Sequence, residues 1–315
     1  MATVISPAGR THQRPARKGA SIERERRRTF WPFVLPGLIV YLGFFVGPAA
    51  FGIYASFTKW SGSGPMTYIG IQNYLRLAAD PTFRAAFVNT MAIAFICGAF
   101  VFVIAFAFSV VIREMRAKVA VRSLLFLPFL ISPIAMGIGF GLLLAPNGPV
   151  NAILRSVGLG HFAIEWLSPD FEFHTIMAGI VWVNVGFYVI LLLSGIERIP
   201  PYFYEDAELA GANAWQKFWN VTLPLSWDIV TIAVVLWLIA AIRIFDFVFA
   251  FVGTASAPPI QVTTLAIAQY AVTTGGTNPA YEMGYGCAMG VFMVVIIGLL
   301  VVVVRRVMRR DAVEF

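Results

Sequence analysis

Five long, predominantly apolar stretches of the chain carry no Asp, Glu, Lys or Arg: residues 29–58, 85–112, 123–154, 173–196 and 283–304. Each exceeds the roughly 20 residues that a helix needs to cross a hydrocarbon core of about 30 Å. A sixth apolar stretch, Ile229 to Phe251, is interrupted only by Arg243 and Asp246. Its dense run from Val234 to Ile239 still reads as a membrane segment. The strands of a membrane barrel would instead show segments of about 10 residues with alternating polarity. The pattern therefore predicts an all-α integral membrane fold of six helices, over Phe30–Ser56, Phe87–Ile112, Ser123–Leu144, Thr175–Gly195, Ile229–Phe251 and Met283–Val304. Pro128 and Pro133 fall in the third helix and predict a kink there, because proline removes a helix hydrogen bond. Such a kink either borders a cavity or serves packing alone.

Composition agrees. The chain is 59% hydrophobic and 12% charged, where a soluble domain has about 25% charged residues. Six spans put both termini on one side of the membrane. That side holds 18 Lys and Arg residues and the other side holds four, with Arg243 inside a span. Basic loops stay in the cytoplasm, so both termini are expected there. The formal charge of +7 is then a topology signal, and the basic leader Arg10–Arg28 needs no nucleic-acid partner to explain it. The leader has the composition of a disordered tail. The apolar run after it is too long for a cleavable signal. The expected organisation is a basic cytoplasmic tail (1–29), a membrane domain (30–304) and a short cytoplasmic tail (305–315).

Chemistry-bearing residues are sparse. Cys97 and Cys287 fall inside spans and read as small apolar packing residues. His12, His161 and His174 are scattered and form no metal or catalytic cluster. No phosphate-cradling Gly-x-x-x-x-Gly-Lys-[Ser/Thr] occurs. The chain reads as a non-enzyme with no cofactor or metal of its own.

The informative segment is Glu197–Ser226, between the fourth and fifth spans. Pro200 and Pro201 suit a helix start. Glu205, Asp206 and Glu208 follow where a helix dipole favours negative charge. Ala207, Ala210, Gly211, Ala212 and Ala214 form a small-residue cluster, and Gly211 fits a turn that needs positive φ. A second helix is expected over Ala214–Asn220, with Trp215, Phe218 and Trp219 on one face, ended by Leu223-Pro224. The result is a compact helical knob able to dock in a cleft of another protein. The alternative, an amphipathic element lying on the membrane, calls for a basic polar face, and this one is mostly acidic.

The run Glu205-Asp206-Ala207-Glu208-Leu209-Ala210-Gly211-Ala212, with Val221, Leu223 and Pro224 after it, resembles the EAA loop of binding-protein-dependent ABC importer permeases. Asp206 stands where the pattern has a second Ala, and Ala210 where an Asp often precedes the Gly. Gly70-Ile71-Gln72-Asn73-Tyr74, Phe87-x-Asn89, Leu127-Pro128 with Ser132-Pro133, and Arg243-Ile244-Phe245-Asp246 are similar to the carbohydrate-uptake branch, of the maltose- and glycerol-phosphate-like first-permease kind. Gly253–Pro258 replaces that branch's Thr-Gly-Gly-Gly-Pro, and Thr274-Gly275-Gly276 is displaced from it.

The resemblance implies a permease subunit of the bacterial plasma membrane that passes a solute, a sugar or sugar derivative, from an outer binding protein or lipoprotein to the cytoplasm by alternating access. It implies a second, related permease as heterodimer partner and two copies of an ABC ATPase that bind the ATP and Mg2+. Glu205, Asp206, Ala207, Gly211, Ala212, Leu223 and Pro224 become the ATPase-coupling candidates. Arg243, Asp246, Phe245 and Asn89 become the solute-path candidates. Three residues apart on a helix, Arg243 and Asp246 share a face and can neutralise each other. The competing reading is a secondary transporter or channel, which usually places more ionisable groups at mid-membrane. An ABC importer of a non-sugar solute such as glycerol phosphate is the other alternative.

Overall fold

A computed structural model describes residues 18–252, 259–275 and 281–309. The tails 1–17 and 310–315 and the segment Gly253–Pro258 lie outside the described residues, as does Gly276. The chain divides into two compact units, residues 1–52 and 53–315.

In the first unit a helix begins at Lys18, inside the leader expected to be disordered. Its apolar part, Phe30–Ala55 (α1), is the first membrane-length helix. Pro32 and Pro36 lie within it, and a five-residue π turn covers Leu42–Val46.

In the second unit a short hairpin pairs Thr58–Lys59 (β1) with Thr67–Tyr68 (β2). The helix Gln72–Ala79 (α2) follows, with Asn73 and Leu77 buried. Asn73 donates to the carbonyls of Ser56 and Thr58, which fastens α2 to the chain entering the hairpin. The helix Pro81–Glu114 (α3) starts six residues before the expected Phe87. Asp80 explains the extension: its side chain accepts from the amides of Thr82 and Phe83, and Pro81 occupies the first turn, where its missing N–H costs nothing.

The third span departs most from expectation. It is two helices, Lys118–Leu130 (α4) and Pro133–Leu143 (α5), bent by 93°. Ser132 precedes a proline and is extended, with ψ of 129°, as the proline ring requires of its predecessor. Pro133 opens α5, and Pro128 is absorbed within α4. A short helix Pro149–Ser156 (α6) leads to Glu172–Ile196 (α7), which is buried along much of its length. Gly186 is required there, since a Cβ would stand 1.8 Å from the Leu125 carbonyl oxygen of α4.

Two helices form the 197–226 loop, Tyr202–Leu209 (α8) and Ala214–Leu225 (α9). The fifth span is also divided, into Trp227–Ile242 (α10) and Asp246–Val252 (α11). A small helix Leu265–Tyr270 (α12) precedes the last span, Met283–Val307 (α13). Counted by length and apolarity, four helices among the described residues can cross a membrane, and up to six spans result if each of two bent pairs is one: α4 with α5, and α9 with α10, which meet at 76°.

The larger hydrophobic core joins α3, α7, α10 and α11 through Val101, Ile180, Leu192, Trp237 and Val248. The smaller one joins α2, α3, α12 and α13 through Leu77, Phe83, Leu265 and Met289. Phe100, Val103, Val294 and Val302 face outward and are exposed. Such faces suit contact with lipid rather than water.

Candidate functional site

Two regions carry the residues singled out from the sequence. The first is the 197–226 knob. Its two helices are closed by short-range bonds that the sequence encodes locally. Gly211 has φ of +76°, a left-handed conformation that L side chains rarely adopt. The Ala212 amide bonds the Ala207 carbonyl and the Gly211 amide bonds that of Glu208, the paired pattern of a Schellman helix end. Asn213 then caps α9. It accepts from the Gln216 amide, and the Gln216 side chain accepts from the Asn213 amide. This capping box was missed from the sequence, although Asn-x-x-Gln before a helical run is its signature.

Lys217 donates to Glu208 over 2.7 Å and so joins the two helices. This bond and the lysine charge hold the Glu208 carboxyl below the usual carboxylate range. The Tyr204 hydroxyl meets the Thr222 hydroxyl at 3.1 Å. Glu205, Asp206 and Gly211 are exposed and Ala207 and Ala212 are partly covered. A Cβ on Gly211 would meet nothing within 4 Å, so the small-residue cluster faces outward, open to a partner. Leu209 and Trp215 are 88% and 68% exposed, which adds apolar surface at the same tip.

Leu223 and Pro224 are not part of that tip. They do not end α9, which continues to Leu225. The Leu223 amide bonds five residues back to Phe218. Pro224 then sits at the start of a new turn, where it withholds no needed donor. Leu223 packs against the larger core.

The second region is the interruption of the fifth span. Residues 243–245 are not helical, so no continuous helix sets Arg243 beside Asp246. Both are exposed, and the ion pairs among the described residues do not join them. Bare backbone at membrane depth needs donors from elsewhere. Thr264, fully buried, supplies one: its hydroxyl donates to the Ile244 carbonyl over 3.0 Å. Beside the break is a cavity of about 250 Å³ lined by Phe129, Asn184, Trp237, Arg243, Phe245 and Asp246. Phe129 stacks on Phe187 at 4.7 Å and Phe245 on Phe249 at 4.9 Å. Asn184 was missed, because a lone Asn in an apolar span carries no motif.

Asn89 lies elsewhere. Both of its amide hydrogens go to carbonyls, of Ile260 at 3.1 Å and Thr263 at 3.0 Å. It clamps the chain ahead of α12, and the neighbouring Thr90 hydroxyl accepts from the Leu265 amide. A wider cavity of about 1010 Å³ between α3, α4 and α7 is almost wholly apolar and holds none of these residues. The described residues contain no His, Cys, Asp and Glu cluster suited to a metal ion.

No protein-family model matches the chain. Individual proteins do. A probable permease of a starch degradation products transport system from Thermoanaerobacterium thermosulfurigenes is 27% identical over 277 residues, which is 87% of this chain and 91% of that one. The arabinooligosaccharides transport system permease of Halalkalibacterium halodurans is 29% identical over 271 residues, 84% of this chain and 82% of that one. The chain is similar over most of its length to ABC transporter permeases, among them a probable one of Bacillus subtilis that is 28% identical over 84% of this chain. Among solved structures, a chain of the bacterial ABC importer of the acidic polysaccharide alginate superposes with a TM-score of 0.78 at 22% identity. That match covers 94% of this chain and 100% of the other. A second structure of the alginate transporter, in complex with its alginate pentasaccharide-bound periplasmic protein, gives 0.77 at 22% identity. The fold is thus shared across nearly the whole chain, while the residue-level sites rest on its own geometry.

Proposed function

We propose that this permease moves a carbohydrate across the bacterial plasma membrane as one half of an ABC importer. The relatives named for starch products and arabinooligosaccharides support a sugar cargo. The single observation that carries the mechanism is the knob of α8 and α9. It is rigidly capped at both inner ends, yet its tip is exposed, small and partly apolar. Such a surface suits the cleft of an ATPase, and the tip then lies in the cytoplasm with both termini. Two ATPase copies bind the ATP and Mg2+, a second related permease completes the path, and an extracytoplasmic binding protein delivers the sugar. The solute passes the broken fifth span. There Phe129 and Phe245 offer faces for the apolar side of a sugar ring, and Asn184, Arg243 and Asp246 offer hydrogen bonds to its hydroxyls.

Affinity purification of the tagged permease from membranes of its own host tests the assembly. An ABC ATPase and a second permease of similar length are expected to co-elute. A permease recovered intact without any ATPase, in the presence of Mg2+ and a non-hydrolysed ATP analogue, overturns the reading.

A further inference from the structure

The knob has two routes into the membrane part of the permease. One is along the chain, through α7 and α10. The other crosses space to α3. We infer that Arg113, resting on the ring of Tyr204, is a positioning residue that passes motion of the knob to the hairpin formed by α3 and α4. This deepens the proposed coupling role of the knob and rests on it.

The Arg113 guanidinium carbon lies 3.8 Å from the centroid of the Tyr204 ring, a cation–π geometry. Arg113 takes part in none of the ion pairs among the described residues. Tyr204 belongs to α8 and reaches α9 through its hydroxyl on Thr222, itself buried. One side chain therefore touches both helices of the knob and the end of α3. Two turns earlier on α3, Phe106 meets Phe218 of the knob edge to face at 5.5 Å. Phe106, Val110 and Arg113 are spaced i, i+4 and i+7, so they form one stripe of α3. Val110 and Arg113 also line the cavity of about 300 Å³ between α3 and the knob, together with Glu114, Glu205 and Glu208.

The other leg of the hairpin is held separately. Lys118 and Arg122, one turn apart on α4, both donate to Glu197, the residue that ends α7. The hairpin thus has two attachments, Glu197 before the Pro200-Pro201 corner and Tyr204 after it. Any swing of α8 about that corner moves one attachment relative to the other. The hairpin must then tilt, and the 93° bend of the third span begins on its second leg.

The test uses the assembled importer with its ATPase, with spin labels at Ala117→Cys on the hairpin turn and Val307→Cys at the end of α13, and Cys97 and Cys287 replaced by Ser. Distances are measured by pulsed electron resonance without nucleotide and after trapping with ATP and vanadate. Trapping is expected to shift the unsubstituted complex to a second distance. Arg113→Met and Tyr204→Leu are expected to reduce the ratio of the two populations about 2- to 30-fold, the range seen for residues in coupling networks, while the ATPase still co-purifies. Arg113→Lys keeps the cation and is expected to restore the shift, while Tyr204→Phe keeps the ring under Arg113 but not the hydroxyl on Thr222 and is expected to restore most of it. A full shift in Arg113→Met and Tyr204→Leu overturns the proposal, as does an unsubstituted complex whose hairpin does not move. Loss of the ATPase from the unsubstituted complex overturns the coupling reading beneath it, and that outcome is seen at the purification step, before any distance is measured.

Discussion

The knob and the broken fifth span satisfy the same demand, partners for backbone groups freed at helix ends, in opposite ways. In the knob the partners are near in sequence. Gly211 and Ala212 bond three and five residues back, and Asn213 and Gln216 cap each other across three residues. At the break the partner of Ile244 is Thr264, 20 residues away. Trp237 of the same span bonds Ala94 across 143 residues. A locally closed element holds its shape whichever way its surroundings move. An element closed at long range changes when the helices around it move. The first suits a handle that another protein grips, and the second suits a segment that opens and closes around a solute.

Substitution of Gly211 gives the largest expected effect, because it attacks the local closure and the exposed tip together. Gly211→Leu forces an L side chain into φ of +76°, which costs about 1–2 kcal/mol. The leucine then projects into open space where the partner would sit. Membrane insertion is expected to be normal, while ATPase co-elution and uptake of the oligosaccharide retained by the cognate binding protein fall to background. Gly211→Asn is the control, since Asn tolerates the left-handed region with less bulk, and it is expected to keep part of both activities. Normal co-elution and uptake in Gly211→Leu would sink the docking role.

The second test addresses the break. Arg243→Met with Asp246→Leu removes both charges while keeping approximate size. The two do not pair with each other in this structure, so their joint loss leaves no orphaned partner between them. If they serve the solute, the double variant assembles with its ATPase and loses uptake by about 10- to 150-fold, the value of one hydrogen bond to a charged group at 1.5–3 kcal/mol. Unchanged uptake kinetics in an assembled double variant would exclude the path role.

The same contrast explains what could be read in advance. Long apolar runs are a property of the chain itself, so the membrane class and the approximate spans followed from the residues. The knob's turn was equally accessible, because a glycine after a helical run and the proline pair before it act within a few residues. The capping box at Asn213 was there to be read as well. The breaks were not. Pro133 announced a bend, but 93° is set by packing: α5 lies on α11, where the Gly137 position leaves room for the Phe247 carbonyl. In the fifth span no proline or glycine marks residues 243–245. Their non-helical path depends on Thr264, and nothing in the sequence points from one to the other. Asn89 teaches the reverse lesson, since a polar residue in a span looked like part of a path and instead spends its donors on the clamp at Ile260 and Thr263.

The smallest expected effect lies where the two kinds of closure meet, at Glu197. It sits at the root of the knob but its partners, Lys118 and Arg122, are 79 and 75 residues away. Burial pushes its carboxyl up from the ordinary 4.5, and the hydrogen bonds and charges of Lys118 and Arg122 outweigh this, so the folded value is lowered. The sign follows: the tie contributes fully above about pH 4.5 and is lost as pH falls through the lowered folded value. Glu197→Gln keeps an oxygen to accept the bonds and removes only the charge. Such exposed pairs contribute about 0–1 kcal/mol, so the Tm of the purified permease should drop by no more than about 4 °C at pH 7. The gap between the two proteins should hold steady from pH 7 to about pH 5 and close below the ordinary carboxylate value. A gap that persists unchanged well into acid would mean that the glutamate acts through shape and not through its charge. The ion pair would then be no more than an accessory to the packing of α4 on α7.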